Sequence, residues 1–478
     1  KGEQGRTVGH YLLLASINRA LSPKSKVEIG DWYDKTVLRR LWRFPKSAFI
    51  SQRFWDHMDM VSEKAIERIQ DKLALSIKQE FGLDEQTLLY DTTNFFTFLA
   101  TTNDRCDVAQ RGHSKAKRHD LRQVGLALLV TADYQVPLFH RVYQGNIPDV
   151  SLFPGLAQEL IGRYNKTIKN DADATLVFDK GNVCDQAMEQ LVVSGRHFVA
   201  ALSANRAPEL VSTPLDRFEE VPGLPGTRAF AGEDTLWGKE CLFVVSYTES
   251  FFTQQLNGVT HNMTKCQKKL LDLEKSLIKW RQGRARGRRP TVRSVKASVN
   301  RILSPQFMKE LFEVKVEQDN GAPRLQYSLN HDALDRLINE RLGKTVLVSD
   351  RREWEKKQVI GAYRSLSRIE DTFKNMKNVD FLRWQPAYHW TDQKIKVHGL
   401  YCVIGLLLSS LARKQAVEAG MDMTLPAMLK ELSDIREVAV IYPQGTMARR
   451  KDHIALSRMS ARQRKLADVL EIARVLGR

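Results

Sequence analysis

The sequence predicts an α/β fold, a mixed sheet with helices packed on it, from the order of its apolar segments. Between residues 86 and 204, β-branched and aromatic runs alternate with helical ones as strand, hairpin, helix, strand, helix, strand. Helical patterns fill residues 1–85 and the basic residues 416–478. The apolar share of 42% is enough for a hydrophobic core, and the length of 478 residues corresponds to about three domains.

The strands of this core are predicted from short apolar runs. They are "TLLYDTTNFFTFLA", the pair in "RQVGLALLVTADYQVPLFHRVYQG", then "ATLVFD" and "RHFVAALS". The stretches "SLFPGLAQELIGRY" and "VCDQAMEQLVVSG" between them have helical spacing. The alternation of strand and helix patterns ends near residue 205, where turn residues and short strands such as "ECLFVVSYT" begin.

The chain therefore divides into five predicted regions. Residues 205–355 form an insertion domain with strands, among them "FEVKVEQ" and "KTVLVSD", and a helical hairpin starting near "MTKCQKKL". The hairpin tip is "RQGRARGRRP", and its dense arginines predict a clamp on phosphates rather than a merely solubilising loop. The helical region 1–85 and the core segment 86–204 precede this insertion domain. Residues 356–415 complete the core, and residues 416–478 form a basic helical end for DNA binding or oligomerisation. The apolar run "LYCVIGLLLSSLA" is too short to span a bilayer and predicts a buried helix.

The charge balance predicts a polyanionic partner. The chain has 74 Lys and Arg against 56 Asp and Glu, a formal net charge of +18. Such an excess displaces counterions condensed on phosphates, so nucleic acid is predicted before a membrane; a basic but ordinary soluble protein is the alternative. The 5 cysteines form no Cys-x-x-Cys pair, which argues against a disulfide framework or a zinc ribbon and fits a reducing cytosol.

The stretch "YRSLSRIEDTFKNMK" from Tyr363 predicts one amphipathic helix. Its apolar residues recur every three or four positions and predict a buried stripe of Leu366, Ile369, Phe373 and Met376. At about 100° per residue, Tyr363, Glu370 and Lys377 share one narrow sector beside that stripe. A Glu at this border, between a phenol and an ammonium, indicates a role beyond solubility.

Three carboxylates are candidates to hold metal. Asp91 follows "LLY" in a strand, Asp179 ends "LVF" before a turn, and Glu370 lies on the later helix. Each has a local alternative: Asp91 capping a turn, Asp179 capping a helix, and Glu370 pairing with Lys374 or Lys377. If the three converge, their oxygens suit Mg²⁺. Two such ions about 4 Å apart activate water and stabilise a leaving 3′ oxygen.

In their joint order these motifs resemble those of bacterial insertion-sequence DDE transposases of the group with a Tyr–Arg–Glu–Lys signature. Tyr363 and Lys377 stand seven positions either side of Glu370, as in that signature, whereas the Arg position is Leu366 here. Arg364 and Arg368 are the nearest arginines that can replace it electrostatically. The strand "LLYDTTNFF" resembles the segment bearing the first catalytic Asp, and "LVFDKGN" the second. The resemblance covers residues 85 to 415, and the helical region 1–85 before it is predicted to help recognise the DNA ends.

The resemblance implies an RNase H-like core with a catalytic, metal-holding triad of Asp91, Asp179 and Glu370. It implies two Mg²⁺ ions, for which Mn²⁺ can substitute, and an enzyme that hydrolyses DNA at transposon ends and transfers the 3′ hydroxyl into target DNA. It further implies a homodimer on paired DNA ends, no membrane, and a place at the nucleoid in the bacterial cytoplasm. The predicted DNA contacts are Tyr363, Arg364, Arg368, Lys374, Lys377, Arg281, Arg284, Arg286, Arg288 and Arg289.

Two other functions remain open from the sequence. A metal-dependent nuclease of the same fold would cut DNA without joining it, with the same active site. A domesticated, non-catalytic DNA-binding protein would need none of the three carboxylates, and their joint presence argues against it. Four histidines lack metal-ligand spacing and are predicted to be structural or to contact phosphate: His113, His140, His389 and His398.

Overall fold

The chain folds into two compact units in the computed structural model. The first comprises Lys1–Ala200 and Ala362–Arg478, and the second Ala201–Gly361. The predicted insertion domain, residues 205–355, falls inside the second unit. The structure describes residues 6–84, 86–100, 102–112, 118–168, 174–193, 195–285, 287, 289–319, 322–385, 387–440 and 453–475.

Helices lead into the sheet of the first unit. The helices before the sheet are α1 (Val8–Leu21), α2 (Ile29–Asp34), α3 (Val37–Trp42), α4 (Ser51–Asp59) and α5 (Glu63–Phe81). There follow β1 (Thr87–Thr97), β2 (Arg122–Thr131), β3 (Pro137–Gln144), α6 (Asp149–Ile168), β4 (Thr175–Phe178), α7 (Asp185–Val193) and β5 (His197–Leu202). The predicted order of strands and helices is confirmed. It was predictable because the spacing of apolar residues differs between strands and helices.

The sheet of the first unit is mixed, as predicted. Its strands lie in the order β3-β2-β1-β4-β5. The pairs β1–β2 and β2–β3 are antiparallel, whereas β1–β4 and β4–β5 are parallel. Residues 123–131 of β2 are all buried, so both faces of this strand are covered. Strand β1 therefore lies inside the sheet, with β4 beside it.

The second unit contains its own sheet strands and a long helical hairpin. Its elements are α8 (Pro208–Val211), β6 (Glu219–Glu220), β7 (Thr227–Leu236), β8 (Lys239–Thr248), α9 (Glu249–Arg281), α10 (Val292–Ile302), α11 (Met308–Leu311), β9 (Phe312–Asp319), β10 (Ala322–Leu329), α12 (His331–Arg336) and β11 (Lys344–Ser349). Strands β11, β8, β7 and β6 are neighbours in that order, and β9 pairs with β10. The helix α13 (Lys356–Arg364) leads out of this unit.

The helical hairpin is longer than the sequence predicted. Helix α9 begins at Glu249 rather than near Met263, because the Thr248 side chain caps it by accepting the backbone N–H of Phe251 at 3.4 Å. Leu270 and Leu277 of α9 are buried. They belong to a cluster that also includes Val295 of α10, so the two helices share one core.

The chain returns to the first unit through further helices and a short strand pair. These elements are α14 (Leu366–Met376), α15 (Asp392–Glu418), α16 (Leu425–Ser433), β12 (Glu437–Val440), β13 (His453–Leu456), α17 (Ala461–Val469) and α18 (Ile472–Val475). The prediction of a wholly helical region after residue 416 is wrong, since β12 and β13 pair as antiparallel strands. Their β-branched residues favour a pleated strand over a helix.

Helix α15 forms a central part of the first unit's core. It packs against α1 and β3, and its buried residues include Leu400, Tyr401 and Leu406. With 27 residues it is longer than the apolar run suggested, and among the described residues it is the one helix long and apolar enough to cross a membrane. Of its most apolar stretch of 18 residues, 78% is buried inside the protein, so α15 serves as the predicted core helix.

Candidate functional site

Two candidate carboxylates occupy equivalent places on neighbouring parallel strands. The register pairs Leu89 of β1 with Val177 of β4, and Asp91 and Asp179 each lie two residues further on. Asp179 remains extended, at φ −80° and ψ 160°. Since side chains alternate along a strand and adjacent strands lie about 4.8 Å apart, both carboxylates leave the same face of the sheet side by side. The sheet register therefore brings Asp91 and Asp179 together.

The local alternatives for these two residues do not describe the structure. Asp91 lies inside β1, paired with Leu128 of β2, and not at a turn. One oxygen of its carboxylate, Oδ1, accepts the backbone N–H of Thr92 at 2.8 Å. Asp179 precedes a 3₁₀ turn, but its side chain makes no capping hydrogen bond there. Neither residue is explained as a cap.

The Asp179 carboxylate instead accepts a hydrogen bond from Tyr363. The phenolic hydroxyl of Tyr363 donates to Asp179 Oδ1 at 2.8 Å. Burial, the charge of Asp179, this hydrogen bond and the charge of Glu370 together raise the pKa of Tyr363 well above its usual value. The phenol therefore stays protonated at neutral pH, donates to Asp179 and lies within electrostatic reach of Glu370.

The helix that carries Glu370 differs from the predicted one in one respect. The chain from Lys356 to Met376 forms two helices, α13 and α14, which meet at Ser365. Tyr363 thus lies in the last turn of α13, and Glu370 lies in α14, so the three signature residues do not share one uninterrupted helix. The predicted stripe is confirmed, since Leu366, Ile369, Phe373 and Met376 are all buried, and α14 packs against β1.

Lys377 follows α14 and contacts the strand that carries Asp91. Its Nζ donates to Thr93 Oγ1 at 2.7 Å and lies 5.4 Å from the centre of the Phe95 ring. Thr93 stands two residues after Asp91, so both side chains project from the same face of β1. The sequence did not single out Thr93; its spacing of two residues from Asp91 in a strand was the available signal.

Neither lysine proposed as a local partner of Glu370 is directed to it. Lys374 forms an ion pair with Asp371 at 2.8 Å, and Lys377 bonds to Thr93. Glu370 is exposed on α14. The ion pair of Lys374 is therefore with Asp371, although the charge of Glu370 also helps to raise the pKa of Lys374.

The remaining candidate DNA contacts lie at the surface, some with partners inside the protein. Arg368 donates through Nη1 to the carbonyl oxygen of Ala132 at 2.7 Å, and Arg364 is exposed at the end of α13. In the second unit, Arg281 donates to the carbonyl oxygen of Pro323 at 3.3 Å. Arg284 and Arg289 at the hairpin tip are exposed, whereas Arg286 and Arg288 lie outside the described residues. Contact of these residues with DNA stays a prediction.

The donor chemistry fits a hard divalent cation, but the three carboxylates are not assembled as a ready cage. Among the described residues, no group of three or more His, Cys, Asp or Glu side chains could hold a metal ion as placed. Asp91 and Asp179 are adjacent through the strand register, and one oxygen of Asp179 is bonded to Tyr363. Coordination by all three carboxylates stays a prediction and would need side chains to rotate.

Comparisons with known proteins leave the family open. No protein-family model matches the chain, and no curated protein does. Among solved structures, it is similar to a piggyBac transposase in a synaptic complex with hairpin DNA, at 10% identity and a TM-score of 0.38, over 89% of this chain and 69% of that chain. It is also similar to Mos1 transposase in a paired-end complex with the left transposon end, at 10% identity and a TM-score of 0.18, over 44% and 62%. These scores carry no argument, so function rests on the site residues.

Proposed function

We propose that the chain is a DDE transposase of the bacterial insertion-sequence type. In this proposal, it cuts DNA at transposon ends and joins the freed 3′ hydroxyl to target DNA. The observation that carries the proposal is the parallel register that sets Asp91 beside Asp179, with Tyr363 linking Asp179 to the helices that lead to Glu370. The net charge of +18 suits a DNA substrate.

In this proposal the sheet of the first unit is an RNase H-like core, and Asp91, Asp179 and Glu370 hold divalent cations. When bound, two Mg²⁺ or Mn²⁺ ions supply an activated water and charge stabilisation at the leaving 3′ oxygen. The chain's own residues orient these ligands: the Thr92 N–H holds Asp91 and the Tyr363 hydroxyl holds Asp179. A homodimer on paired ends, in the bacterial cytoplasm at the nucleoid, completes the proposal.

The exposed cations would bind the phosphate backbone. Arg364 and Lys374 are exposed beside Glu370, and the hairpin tip of the second unit adds Arg284 and Arg289. Contacts of this kind fix the position of DNA but do not read its sequence. They would therefore raise affinity for any DNA, with a strong dependence on salt.

A strand-transfer assay tests the proposal. The full chain is incubated with Mg²⁺, a supercoiled target plasmid, and DNA that carries the segments flanking its own coding sequence, either intact or pre-cleaved to expose a 3′ hydroxyl. We expect cleavage of the intact ends and joining of both forms. Glu370→Gln should abolish both reactions and leave DNA affinity unchanged, whereas Asp371→Asn, the same change at the exposed neighbouring carboxylate, should retain them.

The outcomes separate the candidate functions. Cleavage without joined product, including from the pre-cleaved end, would identify a nuclease of the same fold. Bound DNA without any cleavage in Mg²⁺ or Mn²⁺, with wild type and Glu370→Gln alike, would identify a DNA-binding protein and contradict the enzyme.

A further inference from the structure

The position of Glu370 is bracketed by two side-chain hydrogen bonds. Tyr363, seven residues before it, donates to Asp179 Oδ1 at 2.8 Å. Lys377, seven residues after it, donates to Thr93 Oγ1 at 2.7 Å. Each acceptor lies at or beside a strand of the sheet: Asp179 directly follows the last residue of β4, and Thr93 lies in β1 two residues after Asp91.

We propose that Thr93 and Tyr363 are positioning residues that fix Glu370 relative to the two aspartates, Thr93 acting through Lys377. The proposal rests on the function proposed above. It gives Lys377 a role inside the protein that is separate from any contact with DNA, and it assigns to Thr93 a role that requires no contact with the substrate.

Apolar packing alone would not fix Glu370 well enough. The buried stripe of α14 holds the helix on β1, but hydrophobic contact is non-directional, so small shifts along or about the helix axis cost little. Hydrogen bonds weaken steeply when their geometry is lost. The Lys377 bond at the C-terminal end of α14 and the Tyr363 bond just before its start together restrain the rotation and the translation of α14.

The break at Ser365 makes the two bonds complementary. Because α13 and α14 are separate helices, the Tyr363 bond fixes the end of α13 to the end of β4 but does not by itself set the rotation of α14. The Lys377 bond fixes the far end of α14 to β1. Strands β1 and β4 pair directly through Leu89 and Val177, so the two anchors stand on or beside neighbouring strands of one sheet.

The decisive variant is Thr93→Val, which removes the hydroxyl at nearly constant shape and leaves the charge of Lys377 intact. Thr93→Ser keeps the hydroxyl and is the matched control. A misplacement of about 1 Å in a catalytic group costs on the order of 100-fold in rate, so we expect Thr93→Val to lower the cleavage rate by about 10- to 100-fold. DNA affinity should stay at the wild-type level, and Thr93→Ser should restore the rate.

Two readouts do not depend on cleavage. The first is hydrogen–deuterium exchange of the peptide covering residues 366–376, which should become about tenfold faster in Thr93→Val, since a lost hydrogen bond to a charged group is worth about one factor of ten or more. The second is Mn²⁺ affinity, measured by the electron paramagnetic resonance signal of free Mn²⁺, which should fall several-fold. Tyr363→Phe should produce the same changes from the other end.

The results distinguish the inference from the proposed function. If Thr93→Val matches wild type in both exchange and Mn²⁺ affinity, the positioning role is refuted whatever the enzyme does. If Thr93→Ser is as impaired as Thr93→Val, packing rather than the hydroxyl matters, and the inference also fails. An inactive wild type, with Glu370→Gln indistinguishable from it, would instead refute the transposase while the exchange result still decides the role of Thr93.

Discussion

Replacing His140 should flatten the fall in stability that the first unit undergoes in acid. His140 lies on β3 and is 3% exposed. Burial, followed by the charges of Arg163 and Arg141, lowers its pKa from 6.5 to about 3. The Gln70 side chain of α5 accepts the backbone N–H of His140 at 2.8 Å, and β3 packs against both α5 and α6. The folded chain thus keeps this imidazole neutral.

The size and sign of the effect follow from that shift. Above pH 6.5 the imidazole is neutral in both folded and unfolded chains, so it contributes no pH dependence. Between pH 6.5 and about pH 3 the unfolded chain takes up a proton that the folded chain does not, and stability falls as the pH falls. At about 1.4 kcal/mol per pH unit, the loss reaches about 2 kcal/mol at pH 5.

The test compares wild type with His140→Gln, which cannot titrate in this range. Hydrogen exchange in a urea series follows the unfolding of β2 and β3 at pH 7.5 and at pH 5.0. Wild type should lose about 2 kcal/mol more between these values than the variant does, on top of any loss the two share. Burial also lowers the pKa values of His389 and His398, so both chains keep a residual loss. Equal losses in the two chains would show that His140 titrates normally, and the reasoning would be refuted.

Four further substitutions test the packing and one exposed ion pair. Gly145→Ala would place a Cβ 2.0 Å from the carbonyl oxygen of Gln123 in β2 and should lower the free energy of unfolding by about 3 kcal/mol. Gly162→Ala, in an open position of α6, should raise it by about 0.5–1 kcal/mol. Urea midpoints in the reverse order would contradict this. Leu270→Ala, in the fully buried core of the second unit, should lower the free energy of unfolding by about 3 kcal/mol or more, measured by exchange of α9 in urea, and a change below about 1 kcal/mol would count against that core. Lys374→Ala removes an exposed ion pair and should change the urea midpoint by less than the equivalent of about 0.5 kcal/mol; a larger loss would reveal a buried role.

The sequence predicted best what depends on local periodicity. The strands β1 and β4 and the stripe of α14 follow from the spacing of apolar residues within each segment, and they appear where expected. Asp91 and Asp179 each follow three apolar residues, so the sequence partly predicted that they occupy corresponding positions along their strands. Their adjacency depends on which strands pair, and pairing is set by contacts distant in sequence.

The break between α13 and α14 has no strong signal in the sequence. The stretch from Tyr363 to Lys377 has no Gly or Pro, and Ser365 keeps a helical backbone, at φ −64° and ψ −17°. The Ser365 hydroxyl donates to the carbonyl oxygen of Ala362, and serine side chains compete in this way with the helix ladder. Helical periodicity continues across the break, which is why the stretch was predicted as one helix.

The partner of Lys377 was beyond sequence reasoning for a different reason. A lysine beside a buried stripe is usually solvated, or is assigned to a ligand when the motif suggests one. The hydrogen bond to Thr93 depends on how α14 lies on β1, which only the tertiary fold determines. Thr93 lies in a predicted strand, but a strand pattern does not identify which hydroxyl will accept a hydrogen bond from another element.

The insertion of the second unit explains why side-chain bonds are needed to place Glu370. Residues 201–361 stand between the strand of Asp179 and the helix of Glu370. The entropic cost of closing a longer connection grows by only about 0.6 kcal/mol per doubling of its length, so such an insertion is tolerated thermodynamically. The bonds of Tyr363 and Lys377 to the sheet are made by residues of the first unit alone. The placement of Glu370 must then come from the buried stripe of α14 and from the bonds of Tyr363 and Lys377 to the sheet. An insertion of this size therefore makes these two bonds more important than they would be in a compact core.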